Sequence, residues 1–356
     1  MKSRVYFVPI ENSEPADSVQ KKLARLIDQS KVLDCVSKDG RSAVKLHFGE
    51  EGNTGFVKPE YVAVICDDIA RRGGVPFVSD ANTLYKGRRT KSADHIKIAY
   101  EHGFTLEKIH APIDIPDDDV KENTVEVPVN GKFIRAAKIA LPYVSADTLV
   151  GVAHFKGHLL TGFGGAVKNI GMGCATRKGK LEQHSDLAPF VNVMRCIACK
   201  GCIQVCPAKA IVLKDGKAFV DNARCIGCAS CIAACKSYAI EVNWEAGGER
   251  VPQKMVEYAK AVLFPKKGKT AFFNFATHIT AECDCLAKND PSIAPDTGIF
   301  ASVDPVAVDK ASYDRVLAKA GKNVFQEVHP NRGGFAHLEY AAQLGLGSLD
   351  YELVEV

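Results

Sequence analysis

The sequence predicts an α/β protein: a body with a mixed or parallel β-sheet covered by helices, and a small α+β domain inserted into that body. In the N-terminal part, short apolar runs alternate with amphipathic helical runs, which is the rhythm of βαβ units. The same rhythm resumes near the C-terminus, and between the two parts lies a short segment with eight of the thirteen cysteines. We therefore predict an α/β domain in two parts, residues 1–187 and 244–356, around a separate domain at residues 188–243.

Strands of the N-terminal part are expected where short apolar runs end at polar or turn residues, namely at residues 4–9, 42–48, 75–79 and 148–153. Between them, residues 59–72 carry apolar side chains at helical spacing and end at Gly73-Gly74, a favourable helix C-cap. Residues 93–102 have the same character. Residues 125–139 predict a hairpin that turns at Asn130-Gly131, a dipeptide typical of tight β-turns.

The C-terminal part returns to the α/β pattern. Residues 254–263 predict a helix, and residues 270–277 predict an aromatic-rich strand. A further helix is expected at residues 305–320, because Asp304 is a favourable N-cap and Pro305 fits the first helical turn. The cysteine-rich segment is therefore an insertion within one α/β body, or a bridge between two parts of it.

The composition is that of an ordinary globular protein. Hydrophobic residues make up 46% of the chain, charged residues 25%, and the formal net charge is +4. No apolar run approaches the roughly 20 residues that span a bilayer. Such a mild charge favours neither a nucleic-acid partner nor a membrane surface. Thirteen cysteines indicate a reducing compartment, so we expect a cytoplasmic protein.

The cysteines of the insertion follow the spacing Cys-x2-Cys-x2-Cys-x3-Cys twice. The first run is Cys196, Cys199, Cys202 and Cys206, and the second is Cys225, Cys228, Cys231 and Cys235. Three thiolates at this spacing converge from one loop onto three irons of a cubane cluster, and the fourth iron needs a ligand from elsewhere. Zinc prefers two separated pairs of ligands. A disulfide framework is typical of secreted chains, whereas this N-terminus has no signal-peptide pattern. The spacing therefore predicts two [4Fe-4S] clusters.

The two runs resemble those of bacterial two-cluster ferredoxins, in which the last cysteine of each run serves the other cluster. This resemblance implies one cluster on Cys196, Cys199, Cys202 and Cys235, and one on Cys225, Cys228, Cys231 and Cys206. The repeat extends to flanking residues, since Arg195-Cys-Ile-Ala-Cys matches Arg224-Cys-Ile-Gly-Cys. Pro207 follows Cys206 as in those ferredoxins, but Lys236 follows Cys235, so the second turn is expected to differ. We expect the insertion to be a ferredoxin-like domain.

A second unusual segment, residues 155–174, follows a predicted strand and is rich in glycine. Its backbone can approach a ligand closely, and loops at the carboxyl ends of strands are where open α/β sheets bind ligands. The spacing matches neither a Walker loop nor a Rossmann dinucleotide turn. A glycine-rich crossing chosen only for packing is the alternative. We expect anion binding or proton donation from Lys156, His158 and Lys168, and ligand contacts from Gly162, Gly164, Gly165 and Asn169.

Further candidates lie near the ends of predicted strands. Lys45 and His47 alternate on one strand and so share a face. Asp80 follows another strand and is expected to orient the ligand. Each of these residues, taken alone, is better explained as a solvated charge or a satisfied buried histidine, and it is their joint placement at strand ends that favours a site. His184 either connects the glycine-rich segment to the clusters or lies at the surface.

The remaining cysteines lie outside the two runs. Cys283 and Cys285, with Cys174 as a conceivable third ligand, supply no complete metal site at the usual spacing. We therefore interpret them as core or redox-neutral thiols. Cys35 and Cys66 fall in apolar helical contexts and are expected to be buried.

The chain as a whole resembles the family catalogued as domain of unknown function 362, in the form that carries a two-cluster ferredoxin module. The resemblance implies two cubane clusters, an α/β body and a shared site made by the matching polar residues, and it implies no particular reaction. It covers essentially the whole chain and rests on Lys45-Leu-His-Phe-Gly-Glu50, Phe77-Val-Ser-Asp80, Asn82-Thr-Leu-Tyr85, Phe155-Lys-Gly-His158, Thr161-Gly-Phe-Gly-Gly165, Lys168-Asn169, Gly171-Met-Gly-Cys174 and Ala301-Ser-Val-Asp-Pro-Val-Ala-Val-Asp309.

Three functions are compatible with these features. The first is an iron–sulfur oxidoreductase that passes electrons from a redox partner protein through both clusters to a small anionic molecule at residues 156–174. The second is an electron-transfer or maturation partner without catalysis of its own, against which the large α/β body argues. The third is a ligand-binding protein whose clusters are structural or sense redox state. We favour the oxidoreductase.

Overall fold

The computed structural model of the chain describes residues 2–84, 87–185, 188–243, 250–330, 332 and 335–356. Tyr85 of the motifs above and the predicted domain limits 187 and 244 lie outside these residues. The strands are β1 (Ser3–Pro9), β2 (Arg41–Lys45), β3 (Val75–Ser79), β4 (Thr124–Pro128), β5 (Ala136–Ala140), β6 (Thr148–His154), β7 (Lys156–His158), β8 (Gly162–Gly164), β9 (Phe190–Val191), β10 (Ile211–Lys214), β11 (Lys217–Val220), β12 (Ile240–Glu241), β13 (Thr270–Ala276), β14 (Gly298–Ser302) and β15 (Tyr351–Glu355).

The α-helices connect and cover these strands. They are α1 (Ala16–Ser30), α2 (Pro59–Arg71), α3 (Ser92–Glu101), α4 (Leu106–Ile109), α5 (Leu141–Ser145), α6 (Ala166–Gly171), α7 (Arg177–His184), α8 (Gly201–Gln204), α9 (Ser230–Ala234), α10 (Val251–Leu263), α11 (Pro305–Ala320), α12 (Val324–Val328) and α13 (Ala336–Gln343). Within the described ranges, no helix is long and apolar enough to cross a membrane.

Seven strands form the central sheet, in the order β15-β1-β14-β13-β6-β2-β3. β14 is antiparallel to both of its neighbours, whereas every other pair of neighbouring strands in this sheet is parallel. The prediction of a mixed or parallel sheet is therefore confirmed. Because parallel strands share a direction, β2, β3, β6 and β13 all present their carboxyl ends at one edge of the sheet.

Two hydrophobic cores lie on the two faces of the central sheet. In β3, Phe77 packs into one core and Val78 into the other, and in β13 Phe272 and Phe273 divide in the same way. The first core also holds residues of α6, α10, α11 and α13, and the second holds residues of α1 and α2. All residues of β6 and β13 are buried, as expected for strands covered on both faces. Each large apolar side chain buried in this way contributes roughly 1.5–3 kcal/mol.

Most predicted elements of the body are confirmed to within a few residues. α11 begins at Pro305 as predicted, and the Asp304 carboxylate accepts hydrogen bonds from Val306 N–H and Ala307 N–H, both at 2.9 Å. These bonds satisfy two amides that the first helical turn leaves without a partner. The predicted hairpin is formed by β4 and β5, with Asn130 at a positive φ of 46° between them.

The predicted strand at residues 42–48 is too long. β2 ends at Lys45, although Leu46 N–H still donates to Ser79 O at 3.2 Å. His47 then turns onto the backbone, where its Nδ1 accepts from Gly49 N–H at 2.9 Å. Gly49 has a φ of 82°, a conformation that ends a strand and favours glycine. A turn, rather than the alternation of a strand, therefore positions His47.

Residues 188–243, which follow α7 and precede α10 in the chain, have a small hydrophobic core of their own. Its two strand pairs, β9 with β12 and β10 with β11, are antiparallel. Its two halves have the same backbone, with left-handed residues at the matching positions Ala198 and Gly227, Lys200 and Ala229, and Lys209 and Tyr238. The backbone therefore has the same internal repeat as the cysteine spacing.

Candidate functional site

A partly enclosed cavity opens at the carboxyl edge of the central sheet. Its wall includes Lys45, Asp80 and His154, which lie where β2, β3 and β6 end. The β7–β8 hairpin, α6, α7 and the loop after β13 also contribute residues. Of the residues predicted from the sequence, the cavity brings together Lys45, His47, Asp80, Lys156, His158, Gly164, Gly165, Lys168, Asn169 and His184.

Lys45 and Asp80 form a buried ion pair in this cavity. Lys45 Nζ donates to Asp80 Oδ1 and to Asn169 Oδ1, both at 3.0 Å. Burial alone would raise the pKa of Asp80, but the neighbouring Lys45 and His95 hold that pKa well below its usual value. Asp80 Oδ2 is buried and lies 3.7 Å from an Arg89 guanidinium nitrogen and 3.6 Å from His95 Nε2. Asp80 is therefore an ionised carboxylate that holds several basic groups of the cavity wall in place.

His158 is a neutral hydrogen-bonding group. Its Nδ1 lies 2.8 Å from Thr161 Oγ1, which donates to Phe163 O at 2.6 Å, and 3.3 Å from the amide nitrogens of Leu160 and Thr161. Burial lowers the pKa of His158 well below its usual value, and the nearby charge of Lys168 lowers it further. At neutral pH His158 is therefore uncharged and does not add to the positive charge of the cavity.

Asp284 is the centre of a second buried network. Its carboxylate lies 3.0 Å from His154 Nδ1 and 2.9 Å from Lys156 Nζ. Burial alone would raise the pKa of Asp284, but His154 and Lys156 hold that pKa well below its usual value. The neighbouring side chains of Cys283 and Cys285 both line the cavity. Cys283 is buried and Cys285 is partly exposed, and the loop after β13 returns both to the carboxyl edge of the sheet.

The glycines of the predicted segment have different environments. Gly162 is part of β8 at a φ of 78° and does not line the cavity, so its conformation rather than ligand contact explains the glycine. Gly164 and Gly165 do line it. A Cβ at Gly164 would lie 2.7 Å from Lys168 Cδ, and one at Gly165 would lie 2.2 Å from Asp309 Oδ1. Gly164 and Gly165 therefore line the cavity and also pack closely against neighbouring side chains.

The expectation that the backbone amides of this segment face a ligand is wrong at the start of α6. Ala166 N–H donates to Asp309 Oδ1 at 2.6 Å, and Val167 N–H donates to Asp309 Oδ2 at 3.0 Å. Asn274 Nδ2 also donates to Asp309 Oδ1, at 2.7 Å. Because Asp309 already satisfies these amides, the side chains must supply the polar contacts to a ligand.

We expect Asp309→Asn to destabilise the protein by about 1–3 kcal/mol, although the two side chains have nearly the same shape. The amide of asparagine would place a donor against a buried N–H group, which leaves that group unsatisfied. The measurement is the urea midpoint followed by circular dichroism. Asp314→Asn, at a partly exposed carboxylate of the same helix that contacts Lys310 and Tyr351, is the control, and we expect it to cost at most about 1 kcal/mol. Equal midpoints for the two variants would contradict the role of Asp309.

Two further basic residues that sequence reasoning missed also line the cavity. Arg89 Nε pairs with Glu50 Oε2 at 3.1 Å. Lys180 Nζ donates to the carbonyl oxygens of Asn82 at 2.8 Å and Ala175 at 2.7 Å, and burial lowers its pKa to about 8. Lys180 directly follows Gly179, just beyond the glycine-rich segment, which was a usable signal, whereas no spacing pattern in the sequence marks Arg89.

Basic side chains outnumber acidic ones in the wall of this cavity, which we call the cation-rich cavity. Five basic side chains line it: Lys45, Arg89, Lys156, Lys168 and Lys180. Within the described ranges, ion pairs join three of them to the carboxylates of Asp80, Glu50 and Asp284. Lys168 contacts the sulfur of Cys283, a fourth acidic group, and Lys180 contacts only carbonyl oxygens among the partners above, so basic side chains outnumber acidic ones by one. A buried positive excess is costly unless an anion compensates it, so the cavity is suited to a small anionic ligand.

The eight cysteines of residues 188–243 lie around two smaller cavities. Cys196, Cys199, Cys202 and Cys235 line one of them, together with aliphatic residues such as Val191 and Ile240. Cys206, Cys225, Cys228 and Cys231 line the other, together with Ile211 and Val220. Each set has three cysteines from one run and the last cysteine of the other run, as the resemblance to two-cluster ferredoxins implies.

Backbone amides contact sulfurs in both sets of cysteines. In the part of the chain that the structure describes, no group of three or more His, Cys, Asp or Glu side chains is arranged to hold a metal ion. Backbone amides donate to two sulfurs at matching positions of the repeat, Ala210 N–H to Cys206 at 3.2 Å and Ala239 N–H to Cys235 at 3.1 Å. Such bonds stabilise thiolates and tune cluster potentials.

α7 lies between the cation-rich cavity and the second set of cysteines. Lys180 and His184 of this helix line the cavity, whereas Leu181 packs with Ala229, which lies between Cys228 and Cys231. His184 is buried, and burial lowers its pKa to about 3, so the alternative that placed it at the surface is wrong. One helix thus contacts both candidate sites.

These features define an α/β protein with a cation-rich cavity at the carboxyl edge of its sheet and a small cysteine-rich segment beside it. The chain belongs to the family described as Domain of unknown function (DUF362), whose model matches residues 43–314. No curated protein matches the chain.

Two solved structures are similar to the chain at a low level. The lactate racemase apoprotein from Thermoanaerobacterium thermosaccharolyticum is 11% identical, with a TM-score of 0.39; the alignment covers 77% of this chain and 51% of that protein. A structural genomics protein from Thermotoga maritima is 12% identical, with a TM-score of 0.38; the alignment covers 94% of this chain and 60% of that protein. The chain thus spans about half to three fifths of the length of these two proteins.

Proposed function

We propose that the protein is an iron–sulfur oxidoreductase that transfers electrons from a protein partner to a small anionic molecule bound in the cation-rich cavity. The observation that carries this proposal is the position of α7, which contacts both the cavity and the loop of the second set of cysteines. A redox centre has reason to lie beside a ligand cavity when electrons pass between the two.

The residues of the cysteine-rich segment fit two [4Fe-4S] clusters. Each set supplies four sulfurs around a cavity with aliphatic walls, and amides donate to sulfurs in both sets. When bound, the clusters would supply one-electron transfer between the partner and the cavity. We accordingly propose that residues 188–243 form a ferredoxin-like domain inserted into the α/β body.

The cavity side chains have complementary roles toward the ligand in this proposal. Lys168 and Lys156 hold the anionic group, and His158 supplies an uncharged hydrogen-bonding group. Asp80 orients the ligand through its ion pair with Lys45. Lys180, whose pKa lies at about 8, can lose a proton near neutral pH and is the best placed proton donor.

The partner is expected to be an acidic electron carrier. Residues 188–243 contain seven Lys and Arg residues against three Asp and Glu residues. Apolar side chains are exposed beside the first set of cysteines, with Met194 at 90%, Ile197 at 65% and Val193 at 54% exposure. Apolar residues surrounded by positive charge are typical of a transient docking surface for an anionic protein. The same surface would also suit an electron-transfer role without catalysis.

The test is anaerobic reoxidation of the reduced protein. The purified protein is reduced with dithionite, the excess is removed, and visible absorbance follows reoxidation after addition of small-molecule or protein fractions of a cell extract. We expect the small-molecule fraction to reoxidise it, because the ligand cavity accepts the electrons. Reoxidation by the protein fraction alone would favour the carrier function, and no reoxidation by either fraction would favour a structural or sensing role. A protein without iron would refute the proposal at the outset.

A further inference from the structure

Cys283 and Cys285 are two thiols separated by one residue in the wall of the cation-rich cavity. Both are free cysteines, and neither belongs to the two sets around the smaller cavities. Leu286 N–H donates to Cys283 O at 3.1 Å, so residues 283–286 form a turn. Cα atoms two residues apart lie at most about 7 Å from each other, and a turn shortens that distance into the range that a disulfide spans.

The turn that carries the two thiols is held from several directions. Glu50 N–H donates to Asp284 O at 3.0 Å, and the Asp284 side chain is fixed by His154 and Lys156. On the preceding residues, Gly157 N–H donates to Thr280 O at 2.8 Å. A Cβ at Gly157 would lie only 2.3 Å from Ala281 O, so the glycine permits this close approach. The two sulfurs are thus presented by a rigid turn rather than by a loose loop.

The two sulfurs have unequal environments. The Cys285 thiol hydrogen-bonds to the Cys283 sulfur, which lowers the pKa of Cys283 well below that of an ordinary thiol and raises the pKa of Cys285. Lys168 Nζ lies 3.2 Å from Cys283 Sγ and stabilises its thiolate further. An attacking thiolate beside a protonated resolving thiol is the arrangement that thiol–disulfide exchange requires.

We propose that Cys283 and Cys285 are a redox-active dithiol that reduces a small anionic disulfide bound in the cation-rich cavity. The Cys283 thiolate attacks one sulfur of the substrate, forms a mixed disulfide and releases the first product thiolate. Cys285 loses its proton and attacks Cys283 Sγ, which closes the Cys283–Cys285 disulfide and releases the second product thiolate. The substrate has gained two electrons, and the protein has lost two electrons and one proton from Cys285. The exchange reaction itself does not depend on the proposed function. This inference rests on that function only for the two electrons that reduce the Cys283–Cys285 disulfide back to the dithiol.

The test uses dithiobis-nitrobenzoate, a coloured disulfide that carries two carboxylates, on the reduced full-length protein under anaerobic conditions. Trypsin cleavage after Lys269 and Lys288 yields a peptide in which Cys283 and Cys285 are the two cysteines. We expect this peptide to lose two hydrogen atoms and carry no adduct, with two product thiolates released per chain from this site. Cys285→Ser should release one thiolate and retain an adduct on Cys283. Cys35→Ser, a partly exposed thiol outside the cavity, is the control and should behave as the wild type.

Charge provides a second readout. Neutral dithiodipyridine should react at this site about tenfold or more slowly than the dicarboxylate reagent, and Lys168→Met should remove most of that difference by removing one cation. Stable adducts on both cysteines, or no reaction at either one, would overturn the dithiol proposal. Equal rates for the anionic and neutral reagents would overturn the anionic substrate class. Cys285→Ser keeps the attacking cysteine, so the site can be tested even if Cys283→Ser fails to fold.

The electron supply is tested separately. The Cys283–Cys285 disulfide is first formed with dithiobis-nitrobenzoate, and the excess reagent is removed. Dithionite-reduced low-potential ferredoxin is then added to protein with and without iron, and the thiols of the same peptide are counted by alkylation. Recovery of thiols in the iron-loaded protein alone would support both proposals together. No recovery, with the exchange reaction intact, would refute the proposed electron route and leave the dithiol assignment standing on the exchange data.

Discussion

The double variant Cys206→Ala/Cys225→Ala is expected to lose one cluster and keep the other, with about four of about eight iron atoms retained per chain. Although these cysteines belong to different sequence runs, they line the same small cavity. In the proposed arrangement both substitutions therefore remove ligands of the same cluster. The measurements are iron and acid-labile sulfide per chain, with alkylation under native conditions to identify which cysteines have become reactive. We expect Cys228 and Cys231 to react, while the other set stays protected.

The matched variant is Cys196→Ala/Cys206→Ala, in which both cysteines come from the same sequence run but line different cavities. We expect it to damage both clusters and to retain clearly less iron than the first variant. If each run instead held its own cluster, the two results would be exchanged. Cys66→Ser, at a buried thiol of α2 remote from both cavities, should keep the full iron content.

The body of the fold could be predicted because local patterns and tertiary structure agree there. The limits of β3 and α11 follow from an apolar run that ends at Asp80 and from the cap at Asp304. β2 was predicted too long because Leu46 and Phe48 are as apolar as strand residues. Both are buried, yet the turn at Gly49 is formed by a positive φ that no run of hydrophobic residues indicates.

The candidate site was predicted in part, and the missed residues share a cause. Lys156, Lys168 and Asn169 lie within one glycine-rich segment, so a local pattern was sufficient to find them. Arg89 and Cys283 join the cavity from segments distant in sequence, because several parallel strands end at the same edge of the sheet. Such convergence depends on strand order, which a single sequence does not specify.

The glycine-rich segment also shows how function and packing constrain the same residues. A Cβ at Gly173 would lie 2.1 Å from Asn169 O and 2.6 Å from Lys45 Nζ, so the glycine lets the chain pass close to the Lys45 ion pair. The two interpretations offered for this segment therefore do not exclude each other. Close packing of its backbone is what brings the polar side chains of α6 to the ends of β2 and β3.

Lys168→Met is expected to lower turnover of the anionic ligand by about 100-fold or more while the iron content stays at the wild-type value. Lys168 lines the cavity between Cys283, which its Nζ contacts at 3.2 Å, and the polar residues of the β7–β8 hairpin. Burial alone would lower the pKa of Lys168, but the sulfurs of Cys283 and Cys285 raise it above its usual value. The side chain is therefore charged at neutral pH, and methionine keeps its approximate volume while removing the charge.

Two readouts separate this role from a structural one. Without the lysine, the pKa of Cys283 should rise, since Lys168 is one of the groups that lower it, so alkylation of Cys283 should shift to higher pH. The melting temperature should change little, because a neutral side chain of similar size remains in place. Lys108→Met is the matched control, at a half-exposed lysine that pairs with Glu60 outside the cavity, and it should leave turnover and the pH profile unchanged. Wild-type turnover in Lys168→Met would show that the positive excess of the cavity does not bind the ligand through this residue.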